Sequence, residues 1–130
     1  MVLVDTSVWI DYFNGVTNAQ TNRLDGLLGT GSLLTGDLIL AELLQGFDRE
    51  ADYRRALSLM DEIPCEPLVG RENALQAARN YRLLRRRGAT VRKTIDVLIG
   101  TFCIVNRHRL LHNDKDFVVM QRHLGLQAER

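Results

Sequence analysis

Short apolar runs alternate with amphipathic stretches of helical period along the whole chain, and that alternation leaves few architectures open. Val2-Leu3-Val4 reads as a buried strand that ends on Asp5. Thr6 and Ser7 then suit a helix start, and Val8, Trp9, Tyr12 and Phe13 recur at helical spacing until Asn14-Gly15 stops them. A second helix is expected over about Asn18 to Leu28, with Leu24, Leu27 and Leu28 on one face and Gly29-Thr30-Gly31 breaking it. Ser32 to Thr35 suits a short strand, and Gly36-Asp37 opens the helix that contains Leu38-Ile39-Leu40-Ala41-Glu42-Leu43-Leu44. Arg49 to Glu62 is amphipathic and is ended by Pro64, after which Cys65 to Val69 is a strand candidate whose Pro67 favours a sheet edge. A long helix from about Arg71 to Arg87 carries Ala74, Ala77, Ala78, Tyr81 and Leu84 as inner positions, and Gly88 stops it. Thr94 to Asn106 is a mostly apolar helix, Leu110 to His112 a strand, and Asp116 to His123 a last helix. Strands alternating with helices predict an α/β domain with a short, mainly parallel central sheet.

A length of 130 residues suits one domain, 1–130, able to bury a core without disulfides or structural zinc. Its two cysteines, Cys65 and Cys103, lie far apart in no CxxC pattern and are expected as buried thiols in a reducing compartment. Met1-Val-Leu-Val-Asp5 lacks the basic start of a signal peptide, and the apolar run Val97 to Val105 is too short for a bilayer. A cytoplasmic location is the expectation. The net charge of +1 does not mark a nucleic-acid binder, but its distribution is uneven. Arg79, Arg82, Arg85, Arg86, Arg87, Arg92 and Lys93 follow one another with no acid among them.

Several acids stand in apolar surroundings where solvent would not place them. Asp5 closes a strand, Glu42 interrupts a leucine run, Asp96 lies among Ile95, Val97 and Leu98, and Asp114 and Asp116 follow Leu110-Leu111-His112. Glu50, Asp52 and Glu129, by contrast, read as solvated. Residues just past the strand ends of a parallel sheet gather at one edge, where such folds bind ligands. Asp5 and Asp114 fall there, and Asp96 and Glu42 are within reach from their helices. Two carboxylates about 5 Å apart repel by roughly 3 kcal/mol at an effective dielectric near 20. A group of them needs a cation, and hard oxygen donors suit Mg²⁺ or Mn²⁺ rather than zinc. Such a cation polarises a phosphate and activates water near neutral pH, which is the chemistry of phosphodiester hydrolysis. Each acid alone has a structural reading: Asp5 as a cap, Glu42 as a partner for an arginine, Asp96 as a complement to the helix dipole, Asp114 and Asp116 as an ordinary turn with Asn113. The joint pattern favours the site.

Val4-Asp5-Thr6-Ser7-Val8-Trp9-Ile10 resembles the opening motif of PIN domains, and in particular of VapC-type toxins from toxin–antitoxin pairs. Ala41-Glu42-Leu43-Leu44-Gln45-Gly46, Thr94-Ile95-Asp96-Val97-Leu98-Ile99-Gly100 and Leu110-Leu111-His112-Asn113-Asp114-Lys115-Asp116-Phe117 resemble the second, third and fourth motifs, in family order. The resemblance implies a three-layer α/β/α domain binding Mg²⁺ or Mn²⁺. It implies that Asp5 and Asp96 touch metal most directly, that Glu42 and Asp114 complete the site, that Asp116 is a further acid, and that Thr6 or Ser7 supports it. It also implies an endoribonuclease acting on tRNA or ribosomal RNA, a VapB-type antitoxin as partner, and a homodimer. Gly100 stands where alanine is usual, at a cost of about 1 kcal/mol in a helix interior. His112 and Asn113 stand where threonine or a basic residue is more familiar.

The expected reaction is in-line attack by cation-activated water, leaving a 5′-phosphate and a 3′-hydroxyl. The basic stretch, chiefly Arg85, Arg86, Arg87, Arg92 and Lys93, is read as a phosphate-contacting surface that leads RNA to Asp96, against the plainer reading of a solvated helix end. His112 is read as structural, and His108 and His123 as surface residues. Trp9, Tyr12 and Phe13 are assigned to core or dimer packing, and an apolar groove among the helices could receive an antitoxin helix. A haloacid-dehalogenase-type phosphatase would want a second Asp where Ser7 stands. A receiver domain would want paired acids and a partner lysine that the chain lacks. A PIN fold that sequesters RNA without cutting it is the remaining rival.

Overall fold

The computed structural model describes residues 1–130. Four strands, β1 (Val2–Val4), β2 (Leu33–Gly36), β3 (Cys65–Glu66) and β4 (Arg109–Leu111), form one sheet in the order β3-β2-β1-β4, and every pairing is parallel. Central β1 is buried throughout and pairs through Val2 with both Leu33 and Arg109. A strand covered on both faces has no solvated side, which is why β1 reads as a continuous apolar run rather than an alternating one. Seven helices connect and cover the strands: α1 (Thr6–Phe13), α2 (Ala19–Leu27), α3 (Asp37–Leu44), α4 (Glu50–Met60), α5 (Arg71–Arg86), α6 (Thr94–Asn106) and α7 (Lys115–Leu124). Helices α1 to α4 pack among themselves, as do α5 to α7, giving a three-layer α/β/α domain. No helix is long and apolar enough to cross a membrane.

The elements lie close to where the sequence puts them, with small shifts. Strand β3 stops at Glu66 because Pro67 follows, and it holds the edge that Pro67 predicts. Asn18 caps α2 in a reciprocal box with Thr21. Helix α1 starts at Thr6 as read, but its N-cap is Asp5, so Thr6 and Ser7 are not caps and both hydroxyls are free for other partners.

Four assignments need correction. On α5 only Ala77 and Leu84 of the five inner candidates are buried, while Ala74, Ala78 and Tyr81 line an open groove of about 500 Å³ with Val69, Val97 and Leu98. Alanine fits either face, so its spacing could not choose between them. Cys65 is exposed on the sheet edge, and only Cys103 is buried. Glu129 is not solvated: it is 9% exposed, it bonds Arg23 at 3.0 Å, and Arg109 lies 3.8 Å away. The terminal segment reaches that position by lying along β4, with Leu110 N–H donating to Gln127 O and Glu129 N–H to Leu110 O. His108 and His123 are half-buried rather than on the surface, and the His108 ring lies 5.7 Å from that of Phe102.

Two glycines are set by close approach. A Cβ on Gly36 would stand 2.2 Å from Leu68 Cγ, so the end of β2 admits no side chain there. On Gly100 a Cβ would stand 2.4 Å from Met120 Sδ. The glycine in α6 is thus matched to a methionine in α7, and its helix cost is exchanged for that packing.

Candidate metal centre

Each acid reaches the site from a different element. Asp5 follows β1, and its backbone N–H donates to Leu111 O at 3.0 Å, which ties the end of β1 to the end of β4. Asp114 follows β4 as the N-cap of α7, and Asp116 lies in that helix's first turn. Asp96 sits in the first turn of α6, and Glu42 projects from α3. The parallel sheet brings the ends of β1 and β4 side by side, and the helices that follow or face them supply the rest.

The carboxylates of Asp96, Asp114 and Asp116 each offer an oxygen within 4.8 Å of the others. Asp5, 6% exposed, and Glu42 lie outside that group of three, but the Asp5 charge acts on Asp96 and the Glu42 charge acts on Asp5. Burial pushes the Asp5 carboxyl above its ordinary range and Glu42 adds to the rise, while Ser7 and the backbone amides opening α1 oppose it. Asp96, 8% exposed, is pushed up to about 6, first by burial and then by the charges of Asp5, Asp114 and Asp116, with Lys93 pulling the other way. Buried carboxyls raised by burial and by neighbouring negative charges, as Asp5 and Asp96 are, are a poor way to stabilise a fold and a good way to hold a cation.

The two hydroxyls freed from capping orient this group. Ser7 Oγ donates to Asp5 Oδ2 at 2.6 Å, and Thr6 Oγ1 donates to Glu42 Oε1 at 2.9 Å. Glu42 therefore pairs with a hydroxyl of α1, not with an arginine. Asp114 Oδ1 accepts the Asp116 N–H at 2.9 Å. His112, 9% exposed, donates from Nε2 to Gln121 Oε1 at 2.7 Å and accepts the Asp114 N–H on Nδ1 at 3.2 Å. Gln121 escaped the sequence reading, since nothing local to it shows that α7 folds back over the end of β4. Trp9 is fully buried and belongs to the core, stacked on Phe13.

Of the basic residues, Arg85, Arg86, Arg87, Arg92 and Lys93 are all exposed, at the end of α5 and in the segment entering α6. Lys93 is near enough to Asp96 to stabilise its charge, so the basic run does end at the acids. Arg85 lies over the Tyr81 ring and Arg87 donates to His123 O. A cavity of about 740 Å³ between α5 and the end of α6 is lined by none of the five acids.

An all-oxygen donor set of this kind fits a hard divalent cation and does not fit zinc, for no imidazole or thiolate is grouped with the acids. The PIN-domain profile matches residues 2–122. The chain is 31% identical to VapC ribonuclease Mb1587 of Mycobacterium bovis over 130 residues, covering 98% of this chain and 97% of that protein. The VapBC2 structure from Rickettsia felis, bound to a DNA fragment from its promoter, superposes with a TM-score of 0.74 at 19% identity, covering 99% of this chain and 98% of that one. VapC20 of Mycobacterium tuberculosis, a sarcin-ricin loop cleaving toxin, gives 0.68 at 18% identity, covering 100% and 99%. With its profile matched nearly end to end and a VapC relative aligned over almost its full length, the chain belongs to the PIN-domain family, as a member of the VapC type.

Proposed function

We propose that this chain is a Mg²⁺- or Mn²⁺-dependent endoribonuclease, the toxin of a toxin–antitoxin pair, acting as a single domain. The observation that supports this most is the convergence of Asp96, Asp114 and Asp116 within 4.8 Å at the strand ends of a parallel sheet, with the charge of Asp5 acting on Asp96. Asp5, Asp96, Asp114 and Asp116 would hold the cation, and Glu42 would complete the site. When bound, the cation polarises the phosphodiester and activates water for in-line attack.

The residues contribute position and charge. Ser7 fixes one oxygen of Asp5, and Thr6 fixes one oxygen of Glu42, so neither carboxylate swings away from the site. Asp96, with its carboxyl held up to about 6 by burial and by neighbouring negative charges, is an acid whose ionised form a bound cation would stabilise. Arg85, Arg86, Arg87, Arg92 and Lys93 would draw the RNA backbone toward the acids. Attack by cation-activated water would leave a 5′-phosphate and a 3′-hydroxyl without using the RNA's 2′-hydroxyl. We propose a target among tRNA or ribosomal RNA, as the resemblance of the sequence motifs implies, and a VapB-type antitoxin, supported by the likeness of the fold to a chain of a VapBC complex.

Expression of the wild-type chain beside Asp5→Asn, followed by sequencing of RNA ends, tests the reading. New 5′-phosphate ends are expected with the wild type and none with Asp5→Asn. Cleavage that persists in Asp5→Asn, or ends carrying a 2′,3′-cyclic phosphate, overturns it. A binder that merely sequesters RNA would keep its effect on growth in Asp5→Asn without new ends.

A further inference from the structure

We infer that His112 is a positioning residue for Asp114: its imidazole, oriented by Gln121, fixes the backbone from which Asp114 meets the cation. The inference rests on the metal reading above and extends it to a residue that touches neither substrate nor ion.

Nδ1 of His112 receives the Asp114 N–H, so it carries no proton, and the ring proton must lie on Nε2. Gln121 Oε1 is placed to accept that proton at 2.7 Å. The two bonds select one neutral tautomer and one ring orientation, and the ring lies 5.2 Å from that of Phe117. Asp114 is then held from three directions: its N–H by His112, its Oδ1 by the Asp116 N–H, and its C=O by the Val118 N–H at 3.3 Å. No hydrogen bond engages Oδ2, the oxygen left for a ligand.

The step between β4 and α7 is only Leu111 to Lys115, and its backbone at Asp114 is extended. Without an acceptor at residue 112, the Asp114 amide loses the bond that closes this step, and the carboxylate loses its fixed base. Any side chain that accepts an N–H two residues on should serve in place of imidazole. Thr and Asn do so in ordinary turns, and Leu cannot.

Mn²⁺ binding to the full chain, followed by electron paramagnetic resonance, is the test, with melting in EDTA as the control. His112→Leu is expected to weaken Mn²⁺ binding by about five- to tenfold, the worth of one hydrogen bond. His112→Asn and His112→Thr are expected to restore affinity to within about twofold of wild type, although neither refills the aromatic contact with Phe117. Equal affinity in wild type and His112→Leu overturns the proposal. So does a loss in Thr and Asn as large as in Leu, which would mean packing alone. A wild-type chain that takes up no Mn²⁺ overturns the metal reading and this proposal together, whereas a binding wild type with an unaffected Leu variant overturns this proposal only. If His112→Leu does not fold, nitrogen NMR of the wild-type ring decides: a deprotonated Nδ1 and protonated Nε2 support the assignment, and the opposite tautomer ends it.

Discussion

Neutralising Asp96 should make the metal-free protein more stable, because it removes a charge that the fold has buried beside other negative charges. The Asp96 carboxyl is held up to about 6 against an ordinary 3.8, so keeping it ionised in the folded state costs about 2–3 kcal/mol above pH 6. Asp96→Asn has nearly the same shape and no charge to lose. A chain of 130 residues has a melting entropy near 0.27 kcal/mol/K, so the relief corresponds to about 7–11 °C in Tm. The sign with pH follows from the raised value. The folded state takes up this proton before the unfolded state does, so the burden is full above about pH 6 and disappears as pH falls toward about 4. Calorimetry in EDTA at about pH 7.5 should therefore show Asp96→Asn melting above wild type, and the gap should shrink to about a third on acidification to about pH 4.5. Mg²⁺ or Mn²⁺ stabilises only the chain that binds it: about a hundredfold excess over Kd, worth about 2.7 kcal/mol, should cancel the gap, and about a thousandfold excess, worth about 4.1 kcal/mol, should reverse the order. If Asp96→Asn melts at or below wild type in EDTA near pH 7.5, the electrostatic account of the site is wrong.

Gly100→Ala should destabilise by about 1–3 kcal/mol in urea, because its Cβ would meet Met120 Sδ at 2.4 Å. Adding Met120→Val should cost less than the sum of the two single losses, and strict additivity would show that the contact is not shared. Arg23→Met leaves Glu129 buried with only the longer Arg109 contact, so a loss of about 1–3 kcal/mol and faster amide exchange at Gln127 and Glu129 are expected. Replacing Arg85, Arg86 and Arg87 by Gln should flatten the slope of log affinity for RNA against log salt by about 2–3 while Mn²⁺ affinity stays near wild type. An unchanged slope would return that stretch to a solvated helix end.

The parts of this molecule that were legible in the sequence are those whose physics is local. Val2-Leu3-Val4 ending on Asp5, the leucine run broken by Glu42, and Asp96 between apolar neighbours each show a residue type at odds with its surroundings, and such conflicts mark sites. What stayed hidden depends on contacts across long sequence separations. Glu129 looks solvated until its segment lies along β4 and meets Arg23. Gln121 is one more polar residue of α7 until the helix turns it onto His112. Alanines at 74, 77 and 78 carry too little shape to say which faces inward, and only α6 packed alongside resolves them.

Local structure also bears on why this many acids can share one place at all. Asp5 and Asp114 are N-caps, and Asp96 and Asp116 lie in first turns, so four of the five acids stand where a helix presents unpaired N–H groups. Only Glu42, later in α3, lacks that support, and it has the Thr6 hydroxyl instead. Each helix end favours a nearby negative charge by about 0.3–1 kcal/mol, whereas each close pair of carboxylates costs roughly 3 kcal/mol at an effective dielectric near 20. The helix ends therefore soften the repulsion without cancelling it, as the raised carboxyls of Asp5 and Asp96 show. That remainder is the useful quantity. Full compensation by the protein would leave nothing for a cation to relieve, and none would leave a fold too strained to wait for one. Converging helix N-termini on the ends of β1 and β4 set the balance between the two, and so make the parallel sheet and the affinity of the site parts of one design.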